Sequence, residues 1–327
     1  MKALQITKYG DIKDSLVFNE VNKPTIQAND VLIEVKAAAI NPIDKSIILG
    51  NLQGLIPIPF PSTSAYDVSG IIVEKGAEVN NFEIGDLVYS RVPQEQMGTI
   101  AEYVAVTSMA VSKKPGNISF EEAASLPLAG LTALQSLAHV GIKENDVVLI
   151  HAGSGGVGSF AIQYAKAKGA YVYTTTSTTN VEWVKALGAD QVIDYKKEDY
   201  KTIVKNADIV FDTLGKNYTS EAFEVIKKGG KIVSVVGPLD EESAKMFGMA
   251  DYKLPEELAK LVDAKEASYK FIFMHPNGAH LGEIKSMVED EKIKPIIDKV
   301  YPFSESVEAF AHLATGRAKG KIVIKIN

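Results

Sequence analysis

The sequence contains no cysteine. That excludes disulfides, thiolate nucleophiles and any zinc site built on cysteine. Positive charge is not in excess: 35 Lys and Arg stand against 41 Asp and Glu, a net of −6. No basic face is implied by that total, and no nucleic-acid partner is expected. No apolar run reaches the roughly 18 residues that a membrane span requires, so no membrane partner is expected either. The opening residues, MKALQITKYG, lack a long apolar core and do not read as a secretory signal. The five histidines, His139, His151, His275, His280 and His312, include no pair spaced by four that would put two ligands on one helical face. No metal is expected. These absences point to a cytoplasmic, metal-free protein. Its 327 residues, 46% of them hydrophobic, suffice for about two domains with real cores.

The first third reads as strands and turns. Residues 16–21, 30–40, 69–76, 85–90 and 99–106 are short and rich in Val and Ile, with Gly76, Asn80, Asn81 and Gly85 punctuating them. Many short strands with close turns argue for a small barrel or sandwich. Pro57, Pro59 and Pro61 make 54–65 an irregular loop. After residue 121 strands alternate with helices. Strands are expected at 147–151, 171–175, 191–194, 208–212, 231–236 and 270–274, and helices at 158–168, 180–187, 217–227 and 255–267. Such alternation signals βαβ units and a parallel sheet, and six strands complete a doubly wound dinucleotide fold. The tail carries a helix at 277–290, a strand near 296–300, a helix at 304–315 and a last strand at 321–326. That last strand needs a partner, and the β-rich first third is its natural host. The expected division is a catalytic domain over 1–123, completed by 276–327, and a dinucleotide-binding domain over 124–275.

One motif carries chemistry. Gly153, Gly155 and Gly158, with Gly156 and Val157 among them, form a G-x-G-x-x-G pattern. A strand precedes it at once, an amphipathic helix follows, and a second strand begins at 171, which is the context the motif needs. The first glycine allows the tight turn, the second lets backbone approach a pyrophosphate, and the third lets helix and strand pack closely. An NAD site usually places an acid at the end of the second strand to bond the ribose 2′-hydroxyl. Here the segment runs Thr174, Thr175, Thr176, Ser177, Thr178, Thr179, Asn180. With no carboxylate there to repel a 2′-phosphate, and hydroxyls of Ser177 and Thr178 to donate to it, NADPH is the expected cofactor.

Blocks along the whole chain are familiar: NPID (41–44), YDVSGIIVEKG (66–76), FEIGDLVYS (82–90), GTIAEYVAV (98–106), EEAASLPLAGLTAL (121–134), HAGSGGVGSFAIQYAK (151–166), LGADQVIDY (187–195), FDTLG (211–215) and GRAKGKIVI (316–324). In that order they resemble the zinc-free branch of the medium-chain dehydrogenase/reductase superfamily, and within it the NADPH-dependent quinone oxidoreductases and alkenal/enone reductases. The resemblance implies an α/β chain with a GroES-like β-barrel catalytic domain, a Rossmann domain built on a doubly wound parallel sheet, and a homodimer. Zinc-dependent members take their metal ligands from stretches that here read AAAINPIDK and SAYDVSG, without Cys or His.

The resemblance also carries site residues. Asn41 matches a position near the nicotinamide, where it holds cofactor ribose or substrate, or simply precedes Pro42 in a turn. Tyr66 walls the pocket or protonates the substrate's α-carbon, with aromatic packing as the bland alternative. Thr132 falls on the nicotinamide side, and Tyr195 joins Ser177 near the 2′-phosphate. Leu214 and Gly215, Val236 and Gly237, and Phe273 and Met274 follow strand ends, where open α/β sheets bind ligands. Asp44 reads as a cap of a helical turn over 44–49, and Lys321 stays open between surface charge and cofactor contact. An isolated carbonyl accepting hydride becomes an alkoxide that needs a metal or a strong acid, whereas a conjugated enone spreads the charge onto its oxygen. The expected activity is therefore hydride transfer from NADPH to the C=C bond of a small electrophile, an enone or alkenal. Quinone reduction is the alternative, and a non-catalytic NADPH-binding sensor or structural protein is the rival from another class.

Overall fold

The computed structural model describes residues 1–326, and these form two compact units. The first comprises 1–131, 275–291 and 295–326, and the second 132–274 with 292–294.

The first unit is built on the strand Asp30–Ile40, eleven residues of mostly Val, Ile and Ala whose side chains are buried almost without interruption. A strand buried on both faces has to be apolar throughout rather than alternating. Along one edge it pairs antiparallel with Asp67–Lys75. Along the other it pairs first with Tyr103–Thr107 and then with Lys321–Lys325. The last strand thus returns to the first unit's sheet, as its need for a partner suggested. Ile297–Pro302 lies parallel beyond it, and Leu87–Arg91 and Val111–Lys113 extend the opposite side. A separate three-stranded sheet joins Leu16–Glu20, Lys2–Ile6 and Ser62–Thr63.

The second unit is a six-stranded parallel sheet in the order Gln191–Asp194, Tyr171–Thr176, Val147–Ile150, Ala207–Asp212, Ile226–Ser234, Ser268–Phe271. That is the doubly wound order, in which strands are added first on one side of Val147–Ile150 and then on the other, all parallel. Helix Gly156–Ala167 packs on Val147–Ile150 and Tyr171–Thr176, and Asn217–Val225 on Ala207–Asp212 and Ile226–Ser234. Leu149, Val210, Phe223, Ile232 and Leu258 meet in one apolar core. Residues 292–294 belong here because Gln163 bonds both the carbonyl and the amide of Lys294, at 3.1 and 2.8 Å.

Several local expectations shift. The helix near Asn41 spans Pro42–Ile48 rather than 44–49, and Asp44 caps it as expected, its carboxylate accepting the Asn41 N–H from the first turn. The fifth parallel strand begins at Ile226, which shortens the helix before it. Part of 54–65 pairs as a strand with Gln5 and Ile6. Between the strand expected at 231–236 and the helix expected at 255–267 stands a further short helix, Glu241–Met246, capped by Asp240. Each miss lies where side chain to backbone bonding or a distant partner, rather than periodicity, sets the conformation.

Candidate functional site

The glycine turn follows the strand Val147–Ile150 and opens the helix Gly156–Ala167. A Cβ at Gly153 would stand 2.2 Å from Thr174 Oγ1, and one at Gly158 would stand 2.3 Å from the Ala152 carbonyl. Both glycines are therefore required by packing alone. Gly155 differs, since a Cβ there would approach nothing closer than 3.4 Å. The helix carries no side-chain cap at its start. Its first amides lack intrahelical partners, so the turn presents donors and bare backbone of the kind a pyrophosphate needs. The residues fit a dinucleotide.

The other cofactor candidates in this unit, Thr132 apart, follow the carboxyl ends of the sheet's strands. Thr176 pairs with Asp194, so Ser177 and Tyr195 leave neighbouring strands side by side. Ser177 Oγ accepts the Asn180 amide at 3.1 Å, and Tyr195 is 54% exposed. Asp194 is buried, with Oδ1 accepting the Lys196 N–H at 3.1 Å and Lys197 lying 3.5 Å from Oδ2. Asp212 shapes the next loop: Oδ1 accepts the amides of Leu214 and Gly215 at 2.9 and 2.8 Å, while Oδ2 accepts the Thr219 hydroxyl at 2.6 Å. The Ser234 hydroxyl holds Val236 N–H and the Gly237 carbonyl at 3.3 Å each, leaving Val236 52% exposed. Phe273 packs edge-on against Phe247, and Met274 is buried. Thr132 is buried in the helix Pro127–His139.

Beside Tyr195 lies an open hollow of about 440 Å³, lined among others by Thr175, Lys196, Tyr200, Tyr218 and Glu221. His151 lies under its wall, fully buried, with Nδ1 3.2 Å from Thr175 Oγ1 and its ring edge-on to Tyr200 and Tyr218. Its Nε2 has no partner. Burial holds its pKa down to about 4, against a smaller opposing pull from Asp212.

In the first unit, Asn41 and Tyr66 meet in a buried polar cluster that the sequence did not announce. Asn41 Nδ2 donates to Asp67 Oδ2 at 2.9 Å, and its Oδ1 accepts the Lys321 ammonium. Lys321 also donates to Asp67 Oδ2 at 3.0 Å and to the Ile40 carbonyl at 3.2 Å. Asp67 Oδ1 accepts the Leu128 N–H at 2.8 Å. Lys321 is thus interior, neither surface charge nor a free arm. Tyr66, 1% exposed, lies beneath Arg91, whose guanidinium carbon is 4.4 Å from the ring centroid. Arg91 donates Nη1 to the Val92 carbonyl at 3.0 Å and leaves Nε unpartnered. Asp44 accepts the Asn41 N–H on Oδ2 at 2.7 Å and leaves Oδ1 unpartnered. Burial, then the nearby Asp67, pushes its pKa up to about 7. Burial, then Asp44, pushes the Tyr66 phenol up, and Arg91 opposes them.

These donors do not suit zinc. The two stretches contribute an amide, a phenol and carboxylates, one of them already met by an ammonium. Among the described residues no three of His, Cys, Asp and Glu come together in a group that would hold a metal ion. Nor is any helix among them long and apolar enough to cross a membrane.

Residues 27–116 match the family model of the alcohol dehydrogenase GroES-like domain, and residues 187–324 that of zinc-binding dehydrogenase. The chain is 36% identical to a 2-methylene-furan-3-one reductase of Solanum lycopersicum, over 99% of its own length and 79% of that protein's. It is 34% identical to the chloroplastic NADPH-dependent alkenal/one oxidoreductase of Arabidopsis thaliana, with the same coverage. Among solved structures, the quinone oxidoreductase from Coxiella burnetii is similar with a TM-score of 0.88 at 35% identity, covering 100% of this chain and 99% of that one. With its barrel-type first unit, doubly wound second unit and relatives of this kind, the chain belongs to the medium-chain dehydrogenase/reductase family of oxidoreductases.

Proposed function

We propose that the protein reduces the C=C bond of α,β-unsaturated carbonyl compounds with NADPH and without a metal ion. One observation carries the cofactor choice. Where an NAD site needs an acid, the strand Tyr171–Thr176 ends in Ser177, and the adjacent Asp194 is buried and bonded to its own turn. The activities for which the relatives from tomato and Arabidopsis are named support the substrate class.

A bound nicotinamide supplies hydride. The chain's own residues supply the rest. The turn Gly153–Gly158 and the amides of its helix hold the pyrophosphate, and Ser177 and Tyr195 meet the 2′-phosphate. Thr132, Leu214, Gly215, Val236, Gly237, Phe273 and Met274 bind the remainder of the cofactor. Tyr66 donates the proton that the substrate's α-carbon requires: burial keeps its phenol protonated, and the Arg91 guanidinium over its ring favours the phenolate left behind. Asn41 fixes Asp67 and Lys321 in the same network. An enone disperses its developing charge onto its carbonyl oxygen, so hydrogen-bond donors suffice where an isolated carbonyl needs a Lewis acid.

The reading extends to a cytoplasmic homodimer. The dimer follows from the family resemblance, and a chain without cysteine fits a reducing compartment. Sedimentation and cell fractionation test the two points. Quinone reduction is the second reading, favoured by the likeness to the Coxiella enzyme; a panel of quinones and enones at matched concentration decides between them.

Incubation of chelator-treated protein with NADPH and a small enone is expected to give the saturated ketone. Allylic alcohol as product would overturn the reading. Ser177→Asp is expected to raise the KM for NADPH by roughly tenfold or more, the worth of one charge-assisted contact turned repulsive, with the KM for NADH little changed. Equal effects on both would remove the 2′-phosphate assignment.

A further inference from the structure

The buried cluster of the first unit holds two carboxyl groups in opposite circumstances. Asp67 meets three donors, the Leu128 N–H, the Asn41 amide and the Lys321 ammonium. Asp44 meets one N–H, forms no ion pair among the described residues, and has an oxygen with no partner at 2% exposure. A bare carboxylate oxygen inside a protein is costly, and taking up a proton is the usual escape. The groups that act at Asp44 and Tyr66 are Asn41 from the helix start, Tyr66 and Asp67 from the strand Asp67–Lys75 and its approach, Arg91 from the end of Leu87–Arg91, and Lys321 from the last strand. The helices Ile12–Ser15 and Ser306–Ala314, which also pack against Pro42–Ile48, carry Lys13, Asp14, Glu308 and His312. Glu95 adds a weaker field at Tyr66.

Charge counting then separates two states. With Asp44 ionised, two carboxylates balance Arg91 and Lys321. With Asp44 protonated, one positive charge is left over beside Tyr66. We propose that Asp44 is a positioning residue that keeps its proton in the working enzyme, so that the surplus charge of Arg91 and Lys321 makes Tyr66 the stronger acid, and that losing this proton slows the reduction.

The role rests on the reductase reading above. In the step concerned, the electron pair of the enolate takes the Tyr66 phenolic proton to form the new C–H bond at the α-carbon. The O–H bond breaks, the phenolate remains against Arg91, and solvent later returns the proton. Asp44 exchanges nothing in that step. An ionised Asp44 opposes the phenolate, and a protonated one does not, in the way that apolar sites elsewhere keep a carboxylic acid neutral near pH 7 for catalytic use.

The test compares wild type with Asp44→Asn, which is neutral at every pH. Wild-type kcat is expected to fall by about tenfold between pH 6 and pH 8.5, the effect of roughly one pKa unit of lost acid strength. In Asp44→Asn the ratio of the two rates is expected to approach one, whatever its absolute rate. A purely structural role would leave the profile's shape alone. A second readout needs no turnover: carbon NMR of aspartate-labelled wild type is expected to show a carboxyl group titrating near neutrality. A pH profile unchanged in the variant, or no aspartate titrating above about pH 5, overturns the role while leaving the reductase reading standing. Absence of turnover at every pH overturns both, and if the variant fails to fold, a wild-type NMR titration with no aspartate titrating above about pH 5 still overturns the role.

Discussion

His151 illustrates how a single side chain reads differently in sequence and in space. As a lone histidine beside a glycine turn it carries no chemical assignment. In the fold it is a fully buried ring among Thr175, Tyr200 and Tyr218. Its folded-state pKa, about 4 against 6.5 for an exposed histidine, has a definite consequence. Between these values the unfolded chain takes up a proton that the folded chain refuses, so the stability involved is present above pH 6.5 and is lost as pH falls through 4. Wild type is expected to lose about 2–3 kcal/mol more than His151→Asn between pH 7 and pH 4.5, read from urea unfolding at each pH. Asp44 works in the opposite sense. Its raised pKa gives stability that is complete below 3.8 and is lost as pH rises through about 7. The comparison of two proteins differing only at residue 151 cancels that term. Arg91 is a case where a signal existed: the chain has only two arginines, Arg91 and Arg317, and a rare guanidinium at a strand end was a reason to look.

At the scale of elements, periodicity located most strands and helices, because a face that must be buried imposes its repeat on the sequence. The chain between elements obeys other rules. Ala65, just before Tyr66, has φ 71° and is 1% exposed, a left-handed conformation that a Cβ disfavours by about 1–2 kcal/mol. Its carbonyl accepts the amides of Gly98 and Thr99 at 3.0 and 3.3 Å, and the Tyr66 carbonyl accepts Val92 N–H at 2.9 Å. These bonds hold the kink that aims the chain into the buried cluster. Glycine would relieve the strain yet lose more freedom on folding, about 0.5–1 kcal/mol. Ala65→Gly is therefore expected to raise stability by no more than about 1 kcal/mol, measured by urea unfolding. A clear loss instead would mean that packing of the Ala65 methyl outweighs the strain. The glycine turn was legible for the opposite reason: its spacing is dictated by local geometry, and Gly153 and Gly158 have no room for a side chain whatever the ligand.

On the scale of the whole molecule, a long reach in sequence closes the first unit's polar core. Lys321 and Asp67 are 254 residues apart and 3.0 Å apart in space, at 6% and 0% side-chain exposure. Breaking such a pair leaves a buried charge alone, so Lys321→Met is expected to destabilise the protein by about 3–5 kcal/mol. Adding Asp67→Asn should recover part of that loss, and additive effects in the double variant would show that the pair is not coupled. The sequence by itself determined the repeating strands and helices, the parallel sheet and the place of the glycine turn, because each depends on periodicity or on backbone room within a few residues. It also determined that cysteine ligands are missing. Only the tertiary structure decided that Asn41, Asp44, Tyr66, Asp67, Arg91 and Lys321 share one buried cluster, since no local rule links the start of a helix, two strand ends and the tail. Charge, burial and the protonation of Asp44 are properties of that meeting, set by the neighbours that folding brings within a few ångströms and by the water it removes.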